Sequence, residues 1–572
     1  MGAGEFRNYR MTLLPIADRE LRVAARAKAT HRWRISFAVG AVGIAAALGL
    51  ISLASGGLLV SQLGVYTFGA LKWIGFVFAC AAGTFLTADC LSEEKREGTM
   101  GLLFLTDLRG HDVVLGKLLA TSLRSFYGLL AVFPVMAFSF ILGGVAADDF
   151  RHALIALCNT VFFSLALGMV ISVLSRDPHK AMTGSLTAMA GFLFLTPGLD
   201  WLILRRNANN ALIGLLSPAY AFTQTSSYRA AGFWLSTITV HLAGWSFLAL
   251  ACWLAPKTWR QKALRRGIGS DWRIPFFTPS GAQRLRDQSP ICWLISRDRW
   301  ASNLARLSVV IILGVFLLSM VSYSQSPRLA AAAPVMKTTM TSSTTTNSTG
   351  GVAYSYTASV SSTSVSFKIS SWFAGALALA LEFWLASQVS RFYVDGKRSG
   401  FLELLLVTPV RPAEVVQGHW HALRNLFLAP MATLLFLNLA VGTFQILSMP
   451  AGAPLLGVLG GATVQALVLV LSQTAWVTGL FAIAWFSIWM GLASQRISVA
   501  VLKTFCYVKI LPWFGVYFAM GLSAFLLFRM FNTATVWVMI AMPQMLIIGA
   551  NFILIRLARR GVQVDFSRWA NS

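Results

Sequence analysis

Few residues in this chain have the types and spacing that chemistry needs. Glu382 stands alone in the apolar run ALALALEFWLAS, and His241 stands in a second run, ITVHLAGW. Ionisable groups are costly in hydrocarbon, so both are candidate intramembrane polar sites facing a cavity or another helix. For Glu382 a substrate or proton role stands beside a structural one. For His241 a hydrogen-bonded structural role is favoured. His419 and His421 make an HxH pair, too little for a metal without a third donor and a nearby carboxylate or Cys cluster. The six cysteines (Cys80, Cys90, Cys158, Cys252, Cys292, Cys506) form neither a CxxC pair nor a disulfide framework. No Ser/His/Asp set, HExxH helix or GxxxxGK[ST] loop occurs. The nearest phosphate-loop string, His111 to Leu118, lacks the leading glycine and the hydroxyl that would hold magnesium. The expectation is a chain that is not an enzyme and binds no metal or nucleotide of its own.

These isolated groups must be positioned by a largely apolar chain. It has 572 residues, Lys+Arg 47 against Asp+Glu 21 (net charge +26), 56% hydrophobic and 12% charged residues. Its mean hydropathy is +0.67 and its pI about 10.6. A soluble domain carries roughly 25% charged residues, so this chain has about half the charge that a water-facing surface needs. That excludes a soluble enzyme. A nucleic-acid binder is excluded too, because basic excess in an apolar chain reflects the positive-inside rule when the charges gather in loops on one side.

A spanning helix needs about 20 apolar residues. The candidates are 35–59, 67–89, 122–146, 152–174, 182–204, 232–255, 306–326, 370–390, 424–447, 466–492, 505–528 and 533–555, about twelve spans. Span 182–204 is unusual in holding Pro197 and Asp200. The run 454–492 is too long for one span and is expected to begin with a re-entrant or interfacial piece. An even number of spans puts both termini on one side. Most basic residues then fall in 1–34, 90–121, 175–181, 256–305, 391–423, 493–504 and 556–572, which are assigned to the cytoplasm. A cleavable leader is not expected, since the first apolar run follows a long basic segment and is long enough to span. The fold class is therefore an all-α polytopic membrane protein of the cell (inner) membrane, both termini cytoplasmic, with the lipid bilayer as its solvent.

The chain reads as a duplication. The loop after span two is EEKREGTMGLLFLTDLRGHDVVLGK (Glu93–Lys117), and the loop after span eight is DGKRSGFLELLLVTPVRPAEVVQGH (Asp395–His419). One offset of 302 pairs Lys95 with Lys397, Arg96 with Arg398 and Gly98 with Gly400. It also pairs Leu102, Leu103 and Thr106 with Leu404, Leu405 and Thr408, and Gly116 with Gly418. Matches in one register at one place in the topology are not chance. The expected units are 1–255 and 290–572, each with six helices, joined by a basic cytoplasmic linker, 256–289. In each loop charged residues precede apolar positions at helical spacing: Met100, Leu103 and Phe104, then Phe401, Leu404 and Leu405. Each loop is thus a short amphipathic helix on the cytoplasmic face, fit to lie in the lipid interface or to enter a groove on a partner. An external Ser/Thr-rich loop, 327–369, is a polar hairpin or a low-complexity segment, and a candidate surface for an external partner.

Glu93–Lys117, with its acidic-Lys-Arg-Glu-Gly-Thr start, leucine run and Val-Leu-Gly-Lys end, resembles the first cytoplasmic loop of ABC-2-type ABC transporter permeases. Pro15–Arg34 and Pro290–Arg306 resemble that family's interfacial elbow helices ahead of spans one and seven. The turns Ser175–Pro178 and Ser494–Arg496 sit where such permeases return between spans four and five. The resemblance implies an exporting permease with two halves in one chain. It implies coupling helices that dock on two separate cytoplasmic ABC ATPase subunits, which hold the ATP and magnesium. Glu93, Glu94, Lys95, Arg96 and Glu97 would pair across that interface, with Gly98 and Thr106 bounding the helix and Leu103 and Phe104 filling a groove. In the second copy Lys397, Arg398, Gly400, Leu404, Leu405 and Thr408 correspond. That copy departs from the pattern, with Gly396 and Ser399 in place of Glu94 and Glu97.

Two other functions fit parts of this sequence. A twelve-span secondary carrier also has a cytoplasmic middle linker, but its loop after span two is short and basic. A non-transporting membrane anchor that passes ATPase motion to an external partner would suit the 327–369 loop.

Overall fold

The computed structural model describes residues 60–88, 90–98, 109–141, 143–175, 177–203, 212–226, 230–258, 365–407, 411–447, 455–513 and 533–570, with scattered positions between them. Among these residues there is no strand. The chain divides into two compact units. One comprises Met1–Thr278, Glu382–Val410 and Thr463–Ser572; the other comprises Pro279–Leu381 and Arg411–Ala462.

Between residues 60 and 258, α1 (Val60–Ala82) continues through a π-turn, Gly83–Thr87, and is followed by the short α2 (Cys90–Glu97). Then come α3 (Gly110–Ile141), α4 (Ala147–Leu174), α5 (Pro178–Ala190) with a π-turn at Gly191–Leu195, α6 (Thr196–Ile203), α7 (Pro218–Thr223) and α8 (Ala230–Thr258). Later come α9 (Val365–Arg398), α10 (Phe401–Val407), α11 (Pro412–Leu447), α12 (Leu455–Ala493), α13 (Ile497–Phe505) with a π-turn at Cys506–Ile510, and α14 (Thr533–Ala570).

Seven helices among the described residues are long and apolar enough to cross a membrane: Gly64–Ser92, Gly110–Phe140, Ala147–Leu174, Gly232–Thr258, Pro412–Thr443, Thr463–Ala493 and Ala541–Phe566. They coincide with seven of the expected spans. Spans 35–59 and 306–326 lie mostly outside the described residues, as do the later part of 505–528, the elbow segments, the linker beyond Thr258 and nearly all of 327–369. The run 454–492 forms a single helix of 39 residues, α12, whose membrane-length part is Thr463–Ala493. At 1.5 Å per residue it is about 58 Å long, well beyond a hydrocarbon core of about 30 Å. Its Gly- and Ala-rich start holds no residue that forces a break.

Span 182–204 is broken as its sequence hinted, and Asp200 explains why. The buried Asp200 carboxylate accepts from the backbone amides of Leu212 (3.0 Å), Ile213 (2.9 Å) and Gly214. It thereby satisfies the first turn of the short 3-10 segment Gly214–Leu216, whose amides have no other acceptor at that end. Ser217 caps α7 by accepting from the Ala219 amide, and Ser236 and Thr239 of α8 both donate to the Leu215 carbonyl. The stretch 212–226 is thus tied by hydrogen bonds to both α6 and α8.

The core of the first unit lies where α1 crosses α4. Ser164 Oγ donates to the Ala79 carbonyl at 2.6 Å, and Thr87 Oγ1 donates to the Leu165 carbonyl at 3.1 Å. The two backbones approach so closely that a Cβ on Gly83 would lie 1.8 Å from the Ser164 oxygen, and one on Gly168 2.6 Å from the Gly83 oxygen. Small residues at such crossings let helices gain dispersion contact that lipid cannot supply. Leu71, Leu157, Val161, Leu165 and Met169 complete the contact. Gly83→Ala is expected to destabilise the chain by about 3 kcal/mol, the upper end for overpacking. Gly69→Ala, with nothing within 4 Å of its Cβ, is expected to be neutral. Thermal unfolding of the two detergent-solubilised variants checks the contrast.

Candidate functional site

The first loop is built from its ends. At the start of α2, Ser172 Oγ of α4 accepts from the Leu91 amide at 2.9 Å and the Ser92 amide at 3.1 Å. These amides lie at the start of the short helix, where intrahelical acceptors run out. At the other end Gly98 takes φ +75°, the left-handed conformation that closes a helix without a Cβ clash. Between them Lys95 Nζ donates to the Val173 carbonyl, and Glu94 Oε1 accepts from Lys117 Nζ of α3 at 2.5 Å. Arg109 opens α3, its amide donating to Asp112 Oδ2 at 2.9 Å in a capping-box arrangement. Met100 is 1% exposed and joins the core with Leu91 and Val113, whereas Leu105 is 78% exposed.

The second loop repeats the arrangement. α9 ends at Arg398, Gly400 takes φ +69°, and α10 follows. Lys397 Nζ donates to the Leu492 carbonyl of α12. Partial burial lowers the Lys397 ammonium below the ordinary lysine value, and the Asp565 carboxylate opposes that shift. Asp565 also accepts from Trp489 Nε1 at 3.1 Å, which brings α14 to the same helix. Leu402 is 1% exposed, while Leu404 is 70% and Val407 87% exposed.

The offset of 302 read from the sequence therefore pairs a buried Met100 with a buried Leu402, and an exposed Leu105 with an exposed Val407. Sequence reading missed Leu105 and Val407; the signal was the apolar residue just before the Thr106 and Thr408 turns. Glu94 and Lys95, expected to face a partner, are engaged inside the chain. Leu404 is exposed as a docking residue would be, and Leu405 is half-buried. Glu93, Arg96 and Glu97 lie on α2, and Arg398 is exposed. Leu103, Phe104, Thr106 and Thr408 lie outside the described residues.

The intramembrane candidates resolve differently. Glu382 is 1% exposed and pairs with Lys509 at 2.7 Å, from the π-turn after α13. Sequence reading missed Lys509; a lone basic residue in the apolar run CYVKILPWFG was the signal for a partner. Gly479 and Asn551 lie beside the pair, and Asn551 Nδ2 donates to the Ala475 carbonyl and to Thr478 Oγ1, both at 3.2 Å. His241 Nε2 accepts from Trp245 Nε1 at 3.0 Å, so its proton lies on Nδ1, which donates to Asn159 Oδ1 at 3.0 Å. Asn159 in turn donates to the Thr237 carbonyl at 2.9 Å. With both ring nitrogens engaged, His241 joins α4 to α8. His419 and His421 point opposite ways from α11, one buried and one exposed, the latter with Nδ1 2.9 Å from the Gln417 oxygen.

Seven membrane-length helices and the closed, symmetric loops stand beside one match to known families, over residues 12–255, to the model described as ABC-2 family transporter protein. Over those residues the chain is similar to an ABC-2 family transporter domain. The chain is thus a multi-pass membrane protein, and permeases of the matched family are membrane transport components. Permeases of this family generally pair with cytoplasmic ABC ATPases. No curated protein matches the sequence. Among solved structures, a MOP superfamily transporter from Pyrococcus furiosus aligns over 96% of this chain and 94% of its own, at 13% identity and a TM-score of 0.25. Likeness at that level carries no argument about fold or cargo.

Removing one member of a buried ion pair strands the other charge. Glu382→Leu or Lys509→Leu alone is expected to destabilise by about 3 kcal/mol, and the double substitution to recover most of it. A double-mutant cycle on the melting temperature in detergent checks this.

Proposed function

We propose that the chain is a membrane-spanning permease subunit of an ATP-driven exporter, both halves being ABC-2 permease units. It is driven by two cytoplasmic ABC ATPase subunits that are separate polypeptides and hold the ATP and magnesium. The observation that carries the reading is the pair of loops with one design, each burying one apolar anchor (Met100, Leu402) and exposing another (Leu105, Val407). On α10 the exposed Leu404 and Val407 are three residues apart and share one face. An apolar knob beside charged residues suits insertion into a groove, where a small desolvated centre supplies most of the energy. The absence of a phosphate loop in the sequence supports a separate motor. Glu93, Arg96, Glu97, Leu103, Phe104, Thr106 and Thr408 belong to the same surface in this reading.

The loops differ in charge. Glu94 and Lys117 form an ion pair in the first, and at the same offset the second has Gly396 and His419. The first loop is therefore the braced one, and its engagement with the motor is expected to be the stronger.

The full chain, purified in mild detergent from the cells that make it, is expected to bring with it a soluble subunit with magnesium-dependent ATPase activity. Hydrolysis is expected to be chain-dependent and to fall about tenfold or more with Leu105→Asp, and less with Val407→Asp, because a buried charge at an interface centre costs more than 1.4 kcal/mol. Co-purification and ATP turnover check it. Unchanged hydrolysis with both substitutions defeats docking through these residues and favours loops that rest in the lipid interface.

A further inference from the structure

We propose that Lys95 and Lys397 are positioning residues that tie each loop to the last turn of the fourth helix of its half, α4 or α12. Loop and helix then move as one body. The inference rests on the reading that the loops receive motion from an ATPase, and it names the route that motion takes into the membrane.

Both lysines donate to the carbonyl of the next-to-last residue of a long helix, Val173 in α4 and Leu492 in α12. That carbonyl is among the last four of a helix, which have no intrahelical partner, and it lies at the negative end of the helix dipole. A flexible ammonium suits it on both counts, since it brings donors and positive charge together.

The surroundings of the two ties have diverged while the lysine has not. In the first copy Ser172, one residue before Val173, also holds the Leu91 and Ser92 amides. In the second copy the residue before Leu492 is Gly491. A Cβ there would lie 3.1 Å from Tyr393 Cβ and 3.2 Å from the Ser390 oxygen. The first loop is therefore held to its helix by hydrogen bonds to a serine, the second by close packing of a tyrosine over a glycine. Glu94 has become Gly396 and Glu97 has become Ser399. What the two copies share is the lysine, its acceptor's place in the helix, and the left-handed glycine three residues on.

α4 is the right helix to receive such motion. It is the most deeply buried of the seven spans, and it crosses α1 backbone to backbone at Gly83 and Gly168. A displacement of its end cannot be absorbed by lipid on one side, because packed interiors transmit strain.

Two measurements test the tie. In the full chain alone, an amine-acylating reagent read by mass spectrometry is expected to modify Lys95 and Lys397 about tenfold more slowly than the half-exposed Lys180, the factor for an ordinary net hydrogen bond. Equal rates would overturn the proposal, whatever drives the protein. In the chain with its co-purified ATPase, spin labels at Asp148→Cys and Thr463→Cys, with the native cysteines replaced by alanine, report the distance between the first turn of α4 and position 463 of α12. ATP with vanadate is expected to shift that distance in the otherwise unaltered chain. The shift is expected to be lost in Lys95→Met/Lys397→Met while the ATPase remains bound and active, and to return in Lys95→Arg/Lys397→Arg. A shift that survives the methionine substitutions sinks the tie. If no ATPase accompanies the unaltered chain, the coupling reading fails by itself, and the acylation rates still decide whether the ties exist.

Discussion

Helices in lipid gain nothing from hiding apolar surface, so they must be held together by close contact and by hydrogen bonds from side chains to a neighbour's backbone. The described part of this protein is organised by that constraint. Ser164 reaches the Ala79 carbonyl, Thr87 the Leu165 carbonyl, Asn159 the Thr237 carbonyl and Asn551 the Ala475 carbonyl. In each case a short polar side chain spends its hydrogen on a carbonyl of another helix. The glycines at 83 and 168 make the first of these crossings close enough to matter.

The same chemistry recurs where helices end. A helix terminus inside or beside a membrane presents amides and carbonyls that water cannot reach freely. Asp200 collects three amides, Ser172 two, and Lys95 and Lys397 each take a carbonyl. The polar and charged residues of an apolar chain are thus concentrated where backbone bonding would otherwise be incomplete. Glu382 and Lys509 differ, an ion pair of a buried carboxylate with a half-buried lysine that completes no helix end.

Much of this was legible in one sequence because lipid imposes simple rules. Long apolar runs had to be helices, and seven of them are seen at the expected places. The duplicated loops were legible because their matched residues fall in one register. The register turned out to carry geometry as well: Gly98 and Gly400 share a positive φ that only a helix-ending glycine tolerates easily. The family match over 12–255 agrees with the resemblance seen in Glu93–Lys117. For the run 454–492 hydropathy gives the length of the helix without saying where it leaves the bilayer.

Sequence alone determined that the chain is a helical membrane protein, that it repeats itself, and which loops are its most distinctive feature. Those properties follow from composition and periodicity, which are local. Only the tertiary structure decided the partners. It turned Lys95 inward onto α4, paired Glu382 with a lysine 127 residues away, and engaged His241 with Trp245 in its own helix and with Asn159 of α4. A charge or a hydroxyl in a sequence announces that it needs a partner, but the identity of that partner depends on which helices cross, and at what height.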